Sequence, residues 1–343
     1  MRLLLCFAAA LSFGLFVAAC GGDDDGGPAD TGIDPSLNDP SQPTPEEALT
    51  PEPTRPGRLP TPSSPVASPT PRPTPIVQPL GTAGCGNAFK AGDSVQTIDS
   101  YGGKRSYRLH VPPSYDPVAP WPVVLSFHGY SQSAEQQERY SGLNPLANQK
   151  GFIVVTPDGS SSPKGWNIVG VYDENGVDDV AFVRQLMAGL STQLCVDQNR
   201  IFATGHSNGG EMAAQLACAA PDLIASAAPV SGAVWQGCPG RPVPIVTFQG
   251  TADKNVLYEW SSAAMNAWGQ HNGCSGTPAV AKVSAHVSRK NWQKCKADTV
   301  LYAIDGGGHT WPGSKVAGGA GPVTQEINAS NLIWSFFAAH PKK

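Results

Sequence analysis

The run Gly205-His206-Ser207-Asn208-Gly209 is the part of this 343-residue sequence most directly suited to covalent chemistry. It follows the β-rich stretch RIFAT and precedes a helical-length segment from Gly210 to Ala220, so the serine falls on a sharp strand-to-helix corner. Glycines on both sides let the two backbones approach closely and leave the serine hydroxyl presented to solvent. A serine hydroxyl at its ordinary pKa is a weak nucleophile. The chain must therefore supply a base to take its proton and a carboxylate to hold that base in one tautomer. Both partners are expected on loops after later strands, the acid first and the histidine second. Asp253 follows VPIVTFQGTA and His309 follows TVLYAIDGGG, which satisfies the order and the placement.

The remaining histidines fit less well. His128 lies upstream in FHGY, His206 adjoins the serine but points elsewhere from such a corner, His271 and His286 fall in a stretch read as an insertion, and His340 is in the C-terminal tail. Asp305 precedes His309 by four residues on the same loop, which leaves Asp253 as the better acid. Acyl transfer also needs N–H donors aimed at a developing oxyanion. The backbone of Asn208, directly after the nucleophile, is one candidate. The turn after FHG supplies the other at Tyr130, with Gly129 making room. Trp311 and Trp166 are candidates for lining a substrate pocket, with packing beside a strand end as the competing reading. Asp178 and Asp179 open a helix, where carboxylates complement the dipole, and are read as structural.

These side chains need a scaffold that gathers distant loops. From Tyr107 onward the stretches RLHVPPSY, WPVVLSFHG, GFIVVTPDG, RIFATGHSNGG, VPIVTFQGTAD and TVLYAIDGGGHTW each read as a short buried strand ending in glycine or a polar turn. Helical-length segments such as Asp178 to Leu194, apolar at Val180, Val183, Leu186, Met187 and Leu190, lie between them. Strands alternating with helices predict an α/β domain with a mostly parallel central sheet and helices on both faces. Chemistry in such sheets collects at the carboxyl ends of the strands.

The N-terminal part of the chain reads differently. Met1 and Arg2 lead into an apolar run from Leu3 to Val17, followed by small residues, which is the pattern of an export signal and too short to span a bilayer. Val17-Ala18-Ala19-Cys20 resembles the lipobox of bacterial lipoproteins, in which the cysteine thiol carries the lipid, so residues 1–19 are read as a lipoprotein signal peptide and Cys20 as the anchor. Sixteen of the 33 prolines lie between Pro28 and Pro79, a stretch with too little apolar surface to offset its ordering entropy. Residues 20–80 are accordingly read as a disordered tether, first Asp/Gly-rich and then Pro/Thr/Ser-rich, and 81–343 as one catalytic domain. The Asp23 to Asp25 triplet lacks the spaced ligands of a calcium loop.

Apart from Cys6 and Cys20, six cysteines remain, at 85, 195, 218, 238, 274 and 295. An even number in an exported domain implies disulfides, with the pairing left open by sequence; Cys274 and Cys295 could close a loop ahead of the last strand. No Cys-x-x-Cys or Cys-x-x-His spacing suggests a metal, and no cofactor is expected. A net charge of −4 without a basic run argues against nucleic acid as a partner. A monomer is expected.

With these residues placed, the chain resembles the bacterial esterases known as polyhydroxybutyrate depolymerase-like, which are similar to feruloyl and acetylxylan esterases of carbohydrate esterase family one. The resemblance spans residues 84–341. It rests on RSYRLHVPPSYDP, PVVLSFHGYSQSA, GFIVVTPDG, GWN, DDVAFV, LCVDQNRIFATGHSNGG, GTAD, GGGHTWPG and INASNLIWSFFAAHP. It implies the α/β-hydrolase fold, the Ser207, Asp253 and His309 assignment already reached, and esters of short or aromatic acids as substrates. Feruloylated or acetylated plant polysaccharide and small soluble esters rank together as expected substrates, ahead of solid polyester. A serine peptidase on the same fold and a non-catalytic surface binding protein are the alternatives. The first lacks a gating domain to support it, and the second predicts a broken triad.

Overall fold

A computed structural model describes residues 81–100, 103–160, 162–168, 177–235 and 237–343. The expected signal, Cys20 and the tether lie outside the described residues. In chain order the elements are β1 (Gly92–Ser100), β2 (Gly103–Val111), β3 (Trp121–Phe127), α1 (Ala134–Ser141), α2 (Leu143–Lys150), β4 (Ile153–Pro157), α3 (Asp179–Ser191), β5 (Val196–His206), α4 (Asn208–Ala219), β6 (Ser226–Val230), β7 (Ile245–Gly250), α5 (Tyr258–His271), β8 (Ala279–Lys282), β9 (Val287–Asn291), β10 (Thr299–Ile304) and α6 (Ala329–Ala339).

The strands form one sheet in the order β1-β2-β4-β3-β5-β6-β7-β10-β9-β8. Its centre, from β4 to β10, is parallel throughout. Antiparallel strands flank it, β1 and β2 on one side and β9 and β8 on the other. Side chains alternate between the faces of the central strands. Val123, Leu125 and Phe127 of β3 join Phe182, Leu186, Met212 and Leu216 of α3 and α4, whereas Val124 meets Leu146, Ile333 and Phe337 of α2 and α6. α5 covers the α4 face farther along, where Met265 and Trp268 pack on Ile245 and Ala227. Both faces are therefore buried, which explains the nearly continuous apolar runs of the inner strands.

The paired carboxylates before α3 divide their work. Asp178 caps the helix by accepting from Ala181 N at 2.8 Å. Asp179 instead faces inward. Its Oδ1 meets Arg105 Nη1 at 2.7 Å, its Oδ2 accepts from Asn167 N at 2.7 Å, and both side chains are almost fully buried. Arg105 also donates to Asp158 O at 3.0 Å and lies 3.8 Å above the Phe182 ring. One ion pair thus joins β2, α3 and the segment after β4, a role that the dipole argument alone did not reach.

Three disulfides close the domain. Cys274–Cys295 brackets the β8–β9 hairpin, Cys85–Cys195 ties the start of the described chain to the residue before β5, and Cys218–Cys238 joins the end of α4 to the segment after β6. Such bridges persist outside the reducing cytosol, and they mark an exported protein.

Candidate active site

Because the six inner strands are parallel, their carboxyl ends share one edge, where the loops carrying His128, Ser207, Asp253 and His309 emerge. Ser207 adopts φ 55° and ψ −125°, a sparsely populated conformation for a residue with a side chain. Neighbouring hydrogen bonds impose it: Ser207 N donates to Val230 O at 2.9 Å, and Ser207 O accepts from Glu211 N at 3.0 Å. The flanking glycines are dictated by close approach. A Cβ on Gly209 would collide with the Phe127 and His128 carbonyls, and one on Gly205 with the Gly209 carbonyl. Ser207 remains partly exposed between buried neighbours.

His309 stands on the loop after β10. Its backbone exchanges two hydrogen bonds with Ala320, N to O at 2.8 Å and O from N at 2.9 Å, so the loop is pinned as a short antiparallel pair. Its Nδ1 lies 2.8 Å from Asp253 Oδ2, and both side chains are buried. Asp305, the rival acid, accepts instead from the Thr251 hydroxyl at 3.3 Å. Asp253 is itself held. Its Oδ1 accepts from the backbone N–H groups of Asn255 and Val256, and its Oδ2 accepts from Gln249 Nε2 at 2.9 Å. Burial pushes this carboxyl up, but its bonds to His309 and the two backbone amides outweigh that and hold it below the ordinary carboxylate range. Gln249 is in turn oriented by Ser261 Oγ at 2.7 Å. Sequence reading missed both residues, because an interior glutamine on β7 carries no motif.

His206 does not compete for the base position. Its ring is fully buried, with its centroid 4.7 Å from that of His309 and edge-on to Tyr140 at 5.1 Å. Burial, followed by the nearby His309, pushes its pKa down to about 3, so it is a neutral wall between the elbow and the base loop. Tyr140 also accepts from Trp311 N at 2.7 Å, and burial raises its phenol to about 12.

On the other side of the elbow, the turn after β3 is held by His128. Its Nε2 accepts from Gly159 N at 2.9 Å, which places the ring proton on Nδ1, 2.8 Å from Gly129 O. Burial keeps this imidazole neutral by lowering its pKa. Among the described residues the Tyr130 N–H has no acceptor, and Asn208 N is at the first position of α4, where no intrahelical acceptor exists. The Asn208 side chain clamps Trp166 by accepting from its N at 2.7 Å and donating to its O at 3.2 Å.

Of the two readings left open for the indoles, burial favours packing, with Trp166 at 2% and Trp311 at 1% exposure. Trp166 Nε1 donates to His128 O, and Trp311 Nε1 donates to Ser330 Oγ. A large ring beside a strand end found its best burial in the core. Exposed aromatics at this edge include Tyr130, in the turn after β3, and Trp260, in the first turn of α5, which sequence reading did not assign to substrate contact.

A strained serine after a central parallel strand, a histidine after a later one and an acid between them in sequence define a hydrolase of the α/β class. Residues 105–240 match the family model described as "Esterase PHB depolymerase". Feruloyl esterase D of Neurospora crassa is 29% identical over 277 residues, covering 75% of this chain and 90% of that protein. The probable feruloyl esterase C of Aspergillus oryzae is 30% identical over 274 residues, 77% and 93% of the two chains. An acetyl xylan esterase from Aspergillus awamori shares the fold, with TM-score 0.54 at 17% identity over 63% of this chain and 94% of that one. The chain belongs to the family of esterases that includes the PHB depolymerases and feruloyl esterases, and it is a carboxylic ester hydrolase.

Proposed function

We propose that Ser207 is the nucleophile, His309 the general base and Asp253 the orienting acid of a serine esterase working through an acyl-enzyme. The observation that carries the reading is the buried 2.8 Å contact between His309 Nδ1 and Asp253 Oδ2, on loops that emerge beside the strained Ser207. With Nδ1–H donated to Asp253, the other ring nitrogen is free to take the Ser207 proton as its oxygen attacks the ester carbonyl. The tetrahedral oxyanion is received by the N–H groups of Tyr130 and Asn208. His309 then passes the proton to the departing alcohol, and a water molecule, deprotonated by the same ring, releases the acid.

The substrates are esters of aromatic or short acids, with feruloylated or acetylated plant polysaccharide as the natural class. The names of the relatives and the exposed aromatics Tyr130 and Trp260 support this choice. A panel at matched enzyme concentration tests it. Methyl ferulate and acetylated xylan are expected to be hydrolysed faster than a polyhydroxybutyrate film, and a chain active only on the film overturns the substrate assignment.

The chain is held at the cell envelope by lipid on Cys20. Two or three acyl chains, each methylene contributing ~0.8 kcal/mol, suffice for stable attachment. The full chain expressed in a bacterium is expected in the detergent phase on Triton X-114 partitioning, and the Cys20→Ser variant in the aqueous phase. Equal partitioning of both refutes the anchor.

A further inference from the structure

One side chain touches both halves of the site. Gln132 Oε1 accepts from Gly129 N at 3.0 Å, and its Nε2 donates to Gly318 O at 2.6 Å. Gly129 begins the turn that carries the Tyr130 N–H, whereas Gly318 belongs to the segment whose Ala320 is bonded twice to His309. We infer that Gln132 is a positioning residue that holds the oxyanion donor and the His309 loop in register. This rests on the reading of Tyr130 N–H as an oxyanion donor.

The geometry gives the coupling a path at each end. In a trans peptide the N–H points opposite to the C=O, so whatever fixes the Gly129 carbonyl also aims the Tyr130 N–H. That carbonyl accepts from His128 Nδ1 at 2.8 Å and from Gln132 N at 3.1 Å, and donation to it polarises the same peptide and strengthens its N–H as a donor. Gln132 thus grips Gly129 from both sides, by main chain on its oxygen and by side chain on its nitrogen. At the far end, the Gly318–Gly319 segment lies flush on the base loop. A Cβ at Gly318 would stand 2.6 Å from the Tyr140 ring, and one at Gly319 would collide with the His309 carbonyl. A segment packed this closely cannot shift without moving His309.

Gln132 is only half-buried and belongs to no apolar cluster, so the fold should tolerate its replacement. Two variants separate its functions: Gln132→Met keeps the volume but makes neither bond, and Gln132→Glu still accepts from Gly129 N but has no donor for Gly318 O. For each, kcat and KM on nitrophenyl acetate are measured with the affinity for phenylethylboronic acid, whose tetrahedral adduct on Ser207 puts an oxygen among the oxyanion donors. Phenylpropionate serves as the trigonal control. For Gln132→Met, kcat is expected to fall about 10- to 100-fold with KM within about twofold, since the misaimed donor is needed only in the transition state. Boronate affinity should weaken in parallel, phenylpropionate affinity should hold, and Gln132→Glu should fall between. If both variants keep kcat, or if the whole loss appears in KM or in the melting temperature, the inference fails. If the unmutated chain forms no boronate adduct, the nucleophile and oxyanion reading fails, and the inference with it.

Discussion

Ser207→Ala is expected to lower kcat on nitrophenyl acetate by about a millionfold, leaving only the residual rate that oxyanion donors and binding provide without a nucleophile. No other group can substitute: His206 is sealed in the core, and His309 without the serine has only water to activate. An inactive protein and an unfolded one look alike in an assay, but the φ of 55° offers a way to tell them apart. Glycine tolerates that backbone, so Ser207→Gly should be equally inactive and more stable than Ser207→Ala by on the order of 1 kcal/mol. Urea unfolding monitored by tryptophan fluorescence measures the difference. Hydrolysis by either purified variant within tenfold of the parent would remove Ser207 from the mechanism.

Asp253→Asn should cost about 10⁴-fold in kcat with little change in KM. Asparagine fills the same space, but its NH₂ turned toward His309 Nδ1 would leave the imidazole in the wrong tautomer, with Nε2 protonated and unable to accept from Ser207. The backbone N–H groups of Asn255 and Val256 hold the amide oxygen at the Oδ1 position and so turn the NH₂ toward His309, against the opposition of the single donor Gln249 Nε2 at Oδ2. The pH dependence has a definite sign. Asp253 is held below its ordinary range, so its stabilising contribution is complete above the unfolded carboxylate pKa and is lost only as pH falls through the lower, folded value. Activity lost between neutral and mildly acidic pH therefore reflects another group. Urea unfolding checks it: the stability gap between the parent and Asp253→Asn should stay constant from neutral to mildly acidic pH and narrow only below the ordinary carboxylate range, and a gap that closes above that range would refute it.

The parts of this molecule legible in sequence were those where one local rule decides the outcome. The strand-turn-helix context of Ser207 and the apolar runs of β3, β4, β5, β7 and β10 needed no tertiary information. β6 was missed because Ser-Ala-Ala-Pro-Val carries a single branched residue, Val230, and a proline argues against a central strand. It survives there because small side chains suit a layer tightly covered by α4. The β8–β9 hairpin was read only as an insertion, since its strands are short, β8 exposed and β9 only half-buried. Cys274–Cys295 was anticipated by nearness, but the partner of Cys85 lies 110 residues away, beyond the reach of a local argument. Gln132 and Gln249 were invisible for a related reason. A glutamine acquires its role only from what the fold brings to both ends of its amide, and for Trp166 and Trp311 the choice between pocket and packing rests on equally distant partners.

The Cys85–Cys195 bridge has a mechanical consequence. Tension entering the domain from its N-terminal side reaches Cys85 first and passes through a covalent bond to Cys195, the residue before β5. The antiparallel strands β1 and β2 come later in the chain and are bypassed, so pulling from that side cannot unzip them one hydrogen bond at a time. The load is delivered instead to the amino end of the central strand that ends at His206, next to the serine. Force applied from that side would then run along β5, parallel to β3 and β6, which can yield only by shearing many bonds together.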